Sequence, residues 1–299
     1  MSSPAANVYL ARAIRDFGDG FVAILLPVYL TTLGLSAFDV GVVATLALLG
    51  SAILTLAIGL LGAGHDHRAL LLAASALMAS TGLAYAAAND YAILLIVAFV
   101  GTINPSGGST SIFVPLEHTV LSGAVAARER TRAFARYSLI GALAGAFGSL
   151  LAGAPEWLAL LGVGKLAAIK CMFVAYAALG VVGGFVYRRI PAAPRMPRSK
   201  SQPASALGPS RGIVYRLAAL FSIDAFAGGF VVQSLLALWL FERFDLSLTA
   251  ASLFFFWTGI FSAFSFPVAA WIGSRIGLVN TMVFTHIPSS LCLIAVAFS

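Results

Sequence analysis

Four charged side chains stand close together near the start of the chain, at the head of its first apolar run. They are Arg12, Arg15, Asp16 and Asp19, in the stretch RAIRDFGDGF. Each arginine precedes an aspartate by four residues, so on a helix the two pairs can neutralise each other. A carboxylate set in an apolar run can also take up and release a proton, because burial disfavours its charged form.

The amino-acid composition indicates whether these charges belong to a soluble protein or to a membrane protein. Hydrophobic residues make up 60% of the 299 residues, and charged residues only 10%. A soluble domain carries about a quarter charged residues, so this chain cannot cover a surface that faces water. We therefore predict an integral membrane protein in a lipid bilayer. Without an aromatic-interleaved basic patch, the net charge of +7 does not indicate nucleic-acid binding.

Nine apolar runs are long enough to cross a bilayer, which takes about 20 residues each. The predicted spans are Ile14–Gly34, Phe38–Gly62, Ala69–Ala88, Tyr91–Phe113, Phe134–Ala154, Ile169–Tyr187, Leu217–Leu240, Leu248–Ile272 and Leu278–Phe298. Basic residues mark the cytoplasmic side of such spans. With the N-terminus in the cytoplasm, all but Lys165, Lys170 and Arg243 of the 18 lysines and arginines fall on that side.

One segment differs in kind from the spans. Arg188–Gly212 is rich in proline, serine and basic residues and has no apolar period, which is typical of a flexible linker. We predict three parts: a transmembrane bundle over residues 1–188, a cytoplasmic linker over 189–212, and a second, incomplete bundle over 213–299.

The charges near the first span have two interpretations. For Arg12 we favour an anchor that reaches the lipid headgroups, while Asp16 and its neighbour Arg15 stay open between anchor and function. For Asp19 we favour a function, because an acid at membrane depth is costly and the glycines on either side allow close approach to its carboxylate.

Other polar groups lie inside or beside later spans. Asp224 is two turns into the seventh span, with Gln233 or Ser222 as a potential neutral partner. Trp257 is a pocket candidate in the eighth span. Asn104 opens the stretch NPSGG, where the chain either kinks or breaks to form a binding surface. The pair Glu117-His118 we interpret as a solvated helix end, with a gate pair as the alternative.

The two ends of the chain carry a weak internal repeat. DFGDGFV at residues 16–22 aligns with AFAGGFV at 225–231, each at the head of a predicted bundle. Six spans, a long cytoplasmic loop and the start of a second set resemble the major facilitator superfamily of secondary transporters. The resemblance implies an all-α membrane bundle with a six-helix N-terminal half and the first three helices of a C-terminal half. It also implies about three more spans after Ser299.

The loop signature of that superfamily is only partly kept. In GLLGAGHDHRAL the positions of Gly59 and Arg68 fit the pattern, and the corresponding later loop GSRIGL keeps Arg275 and Gly277. These four residues are therefore gating-loop candidates, with a simple anchoring role as the alternative for Arg68. In the fifth span Gly141, Gly145, Gly148 and Gly153 predict a close helix–helix contact.

The resemblance implies secondary transport of a small organic solute by alternating access. Proton coupling through Asp19 or Asp224, uniport and efflux all stay open. The alternatives are a membrane sensor or scaffold, and a membrane-embedded enzyme. An enzyme is disfavoured because the sequence shows no nucleophile–base pair, and His65-Asp66-His67 is too small a cluster for a metal site. We expect no cofactor, and we expect a bacterial cytoplasmic (inner) membrane.

Overall fold

The computed structural model describes residues 3–61, 65–107, 111–192, 211–229, 231–296 and 298, with Asp224 described by its backbone alone. The described residues form helices and connecting turns, and no strand occurs among them. The first half contains α1 (Pro4–Thr32), α2 (Ala37–Leu61), α3 (His67–Ala87), α4 (Tyr91–Val100), α5 (Phe113–Ala124), α6 (Arg130–Leu151), α7 (Ala154–Leu160) and α8 (Lys165–Tyr187). The rest contains α9 (Arg211–Gly228), α10 (Gln233–Phe244), α11 (Leu248–Ile276) and α12 (Leu278–Val296). The predicted all-α fold is thus confirmed.

The helices run back and forth between two faces of the bundle. We call the face where α1 begins the proximal face and the face where α1 ends the distal face. Within the described residues, six helices are long and apolar enough to cross a membrane, and α4 is a shorter apolar helix. The long but more highly charged α1 runs beside them.

The first helix is the central element of the bundle. Ser3 caps its first turn by accepting a hydrogen bond from the amide of Ala6, and Pro4 fits the first helical position. From Phe21 to Leu30 every residue of α1 is buried, so neighbouring helices surround it. The helix begins ten residues before the predicted start at Ile14. The four charges therefore lie within a helix that is already formed.

Glycines bring α6 into close contact with α1. A Cβ atom on Gly148 would collide with the backbone carbonyl of Phe17, and one on Gly20 would collide with the carbonyl of Gly145. A Cβ on Gly141 would meet the side chains of Arg12 and Asp16. The close helix contact predicted from these glycines is confirmed. Gly153 instead faces Thr249 and Ser252 of α11.

Two predicted spans are broken helices. The fourth run consists of α4 and α5, with the stretch around Asn104 and Pro105 between them. Of the two alternatives left open, a kink or a break, the structure has the break, and the predicted end at Phe113 is wrong. The seventh run was predicted as one helix and is α9 followed by α10. The paired glycines Gly228 and Gly229 were the available signal, because glycine interrupts helices.

The two breaks meet inside the bundle. Ser234, in the first turn of α10, donates from its amide to the carbonyl of Pro105 at 3.0 Å. Its hydroxyl lies 2.7 Å from the carbonyl oxygen of Ala23 and 3.1 Å from that of Pro105. Backbone groups freed by one break are thus satisfied across the bundle, as hydrocarbon surroundings require. Most of the predicted linker, residues 193–210, lies outside the described residues.

Candidate functional site

A buried cluster of charges lies on α1, in the proximal part of the bundle. Arg12 Nε is 2.6 Å from Asp16 Oδ2, and Arg15 Nη1 is 3.8 Å from Asp19 Oδ2. Arg15 Nη1 also lies 3.4 Å from Asp16 Oδ1. Both predicted pairs therefore form. The side chains are almost fully shielded, with Arg12 the most exposed at 9%.

The fifth charged member of the cluster is Glu117 of α5. Its Oε2 atom accepts a hydrogen bond from Arg15 Nη2 at 3.1 Å, and the residue has no exposed surface. The interpretation of Glu117 as a solvated helix end is wrong. The helix end at Ala124 lies two turns further on, so Glu117 faces α1 rather than water. A lone acid near the end of an apolar run was the signal for it.

Three tyrosines complete the cluster. The hydroxyls of Tyr137 and Tyr187 donate to Glu117, each at 2.5 Å, and the hydroxyl of Tyr176 donates to Asp19 Oδ1 at 3.1 Å. Tyr137 also accepts from Arg12 at 3.2 Å. Sequence reasoning did not find these residues, because a tyrosine in an apolar helix gives no sign of which carboxylate it will contact.

The anchoring role expected for Arg12 is also wrong. Its guanidinium stacks 4.6 Å from the centre of the Tyr137 ring and pairs with Asp16. Because α1 starts at Pro4, Arg12 is two turns inside the helix and packs on protein rather than reaching past its end. Arg15 is placed the same way, 5.0 Å from the centre of the Phe113 ring.

A cavity of about 1350 Å³ opens beside this cluster. It is bounded by α1, α2, α5 and α6 from the first half and by α9, α10 and α11 from the second. Among the described lining residues, Arg12 and Asp16 are the only charged ones. The other polar groups are hydroxyls and an amide: Ser51, Thr55, Ser106, Ser111, Ser138, Ser149, Thr258, Ser262 and Gln233.

The remaining sequence candidates fall in several places. Gln233 lines the cavity, next to Gly107. Asn104 is buried in the break, where its side-chain oxygen accepts from the amide of Ser106 at 2.8 Å, and it is not part of the lining. Trp257 is 54% exposed and contacts Phe256 outside the cavity. The side chain of Asp224 lies outside the described residues.

The gating-loop candidates lie at the proximal face. Asp66 accepts a hydrogen bond from the amide of Arg68 at 3.1 Å and so begins α3, while Gly59 has open space around its α-carbon. Arg275 stacks on the ring of Trp271 at 4.7 Å, and Gly277 ends α11 with a φ of +85°. A gating role for these four residues stays a prediction.

The chemistry available to the cluster is acid–base chemistry. It holds carboxylates, guanidinium groups and phenol hydroxyls within contact of one another, beside a cavity large enough for an organic solute. Within the described residues no group of three or more potential metal ligands occurs. The arrangement fits the binding and release of a proton next to a bound solute, and it offers no built metal site.

Comparisons with known proteins agree with this architecture. The sequence model of the Major Facilitator Superfamily matches residues 8–299. A curated protein from Saccharomyces cerevisiae, described as uncharacterized membrane protein YJR124C, is 23% identical over 148 residues. That match covers 50% of this chain and 32% of the yeast protein.

Two solved structures share the fold. Both are crystal structures of a bacterial homolog of the human lysosomal transporter Spinster, in inward-facing conformations. The unoccupied one has a TM-score of 0.68 at 13% identity and covers 91% of this chain and 62% of that one. The occupied one has a TM-score of 0.58 at 17% identity, with coverages of 92% and 63%. The chain therefore spans less than two thirds of the length of the proteins that it matches.

Proposed function

Because the chain belongs to the Major Facilitator Superfamily, we propose that it is a secondary transporter of a small organic solute, working by alternating access. The observation that carries this proposal is the cavity of about 1350 Å³ between helices of the two halves. Most of its lining residues lie in the proximal and middle parts of the helices, and the lining ends distally at Ser149 and Phe255. At the distal end of the cavity α6 and α11 pack together, with Gly259 of the lining against Ala146 and, beyond it, Gly153 beside Ser252.

The lining supports an amphipathic or weakly charged solute. The charged residues of the described lining, Arg12 and Asp16, pair with each other at 2.6 Å and so cancel. Hydroxyls, glycines and apolar side chains make up the rest. A strongly anionic solute such as a sugar phosphate would find few opposing charges here, whereas a compound with an apolar body and a few polar groups would be satisfied.

Proton coupling follows from the charge count of the cluster. Two guanidinium groups, of Arg12 and Arg15, face three carboxyl groups, of Asp16, Asp19 and Glu117. A net charge buried at membrane depth is costly, so one carboxyl group is best protonated while the cluster is closed. Opening the cluster to water would remove that cost and release the proton.

Among the three acids, Asp19 is the best proton carrier. Glu117 accepts three hydrogen bonds, from Arg15, Tyr137 and Tyr187, so donors already engage both of its oxygens. Asp16 has a close contact with Arg12. Asp19 has only a neutral donor, Tyr176, and a distant contact to Arg15 at 3.8 Å. Asp224 at the corresponding depth of α9 is a second candidate.

Replacing Asp19 tests the coupling. In Asp19→Asn the amide mimics a permanently protonated acid, so accumulation of solute driven by a pH gradient should fall at least tenfold while exchange at equal pH survives. The measurement uses purified protein in liposomes, after a growth screen against toxic and nutrient compounds has supplied a solute. Asp39→Asn, on a partly buried distal residue outside the cluster, is the matched control.

The other acids separate the possible outcomes. Wild-type accumulation in Asp19→Asn, together with loss in Asp16→Asn or Asp224→Asn, would move the proton site to that residue. Wild-type accumulation in all three variants would place the proton site on another residue, whereas a wild-type chain that exchanges solute but does not accumulate it would favour uniport. Failure of the wild-type chain to move any solute would contradict transport and favour the membrane sensor or scaffold. We propose, further, that the protein lies in a bacterial inner membrane with its proximal face in the cytoplasm, where efflux would begin.

A further inference from the structure

The two halves are joined at the distal face through one carboxylate. Glu156 belongs to α7, the short helix that follows α6. Its Oε1 atom accepts a hydrogen bond from the amide of Leu248 at 2.7 Å, and its Oε2 atom accepts one from the amide of Thr249 at 3.0 Å. The hydroxyl of Thr249 also donates to Oε2. Both carboxylate oxygens are thus engaged by the first turn of α11.

These contacts occupy groups that a helix leaves open. The first four amides of a helix have no partner within it. In α11 the hydroxyl oxygen of Ser247 accepts a hydrogen bond from the amide of Ala250 at 3.1 Å, and its carbonyl accepts one from the amide of Ala251 at 3.0 Å. The amides of Leu248 and Thr249 donate instead to Glu156, which belongs to the other half of the chain. A negative charge is also favoured at this position by the helix dipole.

Other acids that cap helices in the described chain act within one half. Asp90 is the nearest comparison, because it also lies at the distal face. It accepts a hydrogen bond from the amide of Ile93 at 3.2 Å and so caps α4, its own helix. Glu156 differs because its contacts cross between halves, beside the packing of Gly153 on Thr249 and Ser252.

We propose that Glu156 is a distal latch, which holds α7 against α11 and keeps the distal end of the cavity closed. This inference rests on the proposed alternating access. For the cavity to open distally, α6 and α7 must separate from α11, and the carboxylate must leave the two amides. The latch therefore stabilises the conformation described here over the one open to the opposite side.

The variant Glu156→Gln tests the latch without a known solute. It keeps the shape but removes the charge, and it places an amide donor against amide donors. Hydrogen bonds to charged groups are stronger than those between neutral groups. The equilibrium should therefore shift towards the conformation that is open at the distal face, by up to about tenfold. The measurement is the rate of labelling by a maleimide in lipid nanodiscs, after the exposed Cys171 and Cys292 have been replaced by alanine.

Two reporter cysteines read the two ends of the cavity separately. Ser252→Cys reports the distal contact, where the wild-type serine is 2% exposed, and Ser138→Cys reports the proximal lining. With Glu156→Gln we expect labelling at position 252 to rise several-fold and labelling at 138 to fall. The control Asp90→Asn, which removes the charge from a cap within one half, should change neither rate.

Each other result contradicts the latch. Unchanged rates would show that the contact does not hold the ends together. A rise at both positions would mean general loosening, and an equal change in Asp90→Asn would mean that any distal cap has this effect. The labelling experiment does not depend on transport. If the chain transports no solute but Glu156→Gln still raises labelling at position 252 and lowers it at 138, the proposed function is wrong and the latch is supported.

Discussion

Glu117 is the residue whose importance depends most on its partners. It is fully buried, and its three donors come from α1, α6 and α8. Each donor alone is an ordinary contact, but together they hold a carboxylate where no water reaches it. A carboxylate satisfied in this way rigidifies the core around it. Glu117 thus fixes Arg15, and Arg15 in turn sets the surroundings of Asp16 and Asp19.

Glu117→Gln should lower the stability of the protein by about 1.5–3 kcal/mol, because it replaces charge-assisted hydrogen bonds by neutral ones. Tyr187→Phe, which removes a single donor and keeps the ring, should cost about 0.5–1.5 kcal/mol. Thermal unfolding of the purified protein in detergent measures both. Glu129→Gln, at an exposed acid in the turn before α6, is the control and should have no effect. Equal stability of Glu117→Gln and wild type would contradict the network.

At the scale of elements, the contact between α1 and α6 places the charge cluster. The backbones approach so closely that Gly148 leaves no room for a side chain beside the carbonyl of Phe17. Without a hydrophobic force between helices in lipid, such close packing is a main source of association. The same approach brings Tyr137 of α6 over Arg12. The glycines therefore serve the site as well as the packing.

Gly148→Ala and Gly145→Ala form a matched pair. A Cβ at Gly148 would lie 2.8 Å from the carbonyl carbon of Phe17, whereas the nearest atom to a Cβ at Gly145 is the backbone oxygen of Asp16 at 3.6 Å. We expect Gly148→Ala to cost about 1–3 kcal/mol through overpacking. Gly145→Ala should be neutral or slightly stabilising, because alanine favours the helix over glycine. Melting temperatures in detergent compare the two, and equal losses would show that the distance between the helices is not limiting.

At the scale of the whole molecule, the described conformation is closed at one face. The latch of Glu156 and the packing of Gly259 on Ala146 join the halves distally, and the cavity lies towards the proximal face. Under the proposed alternating access, the protein passes between two such arrangements. The direction of transport then depends on which face lies in the cytoplasm.

The excess of basic residues predicts that the proximal face is cytoplasmic. A cysteine at Ser201, in the predicted linker, should react with an impermeant maleimide only when the reagent has access to the cytoplasm. A cysteine at Leu161, which is 80% exposed in the distal turn between α7 and α8, should react from outside intact cells. The reverse pattern would invert the proposed orientation.

The sequence by itself determined the class of protein and much of the helix order. Apolar content and run length are sums over neighbouring residues, so they can be read from the sequence without knowing which residues are in contact. The pairing of Arg12 with Asp16 and of Arg15 with Asp19 was predictable for the same reason, because a helix places residues four apart together. The break at Pro105 was local as well, since proline and glycine act on their own backbone.

Only the tertiary structure decided which of these residues share a site. Glu117 meets Arg15 across 102 positions, and Tyr176 meets Asp19 across 157. No local pattern encodes such distances, since they depend on how whole helices pack. The same holds for Glu156, whose sequence surroundings suggest a loop acid but whose partners are the amides of another half. Burial then turned Arg12 from an expected lipid anchor into part of the cluster, because the helix begins earlier and its neighbours enclose it.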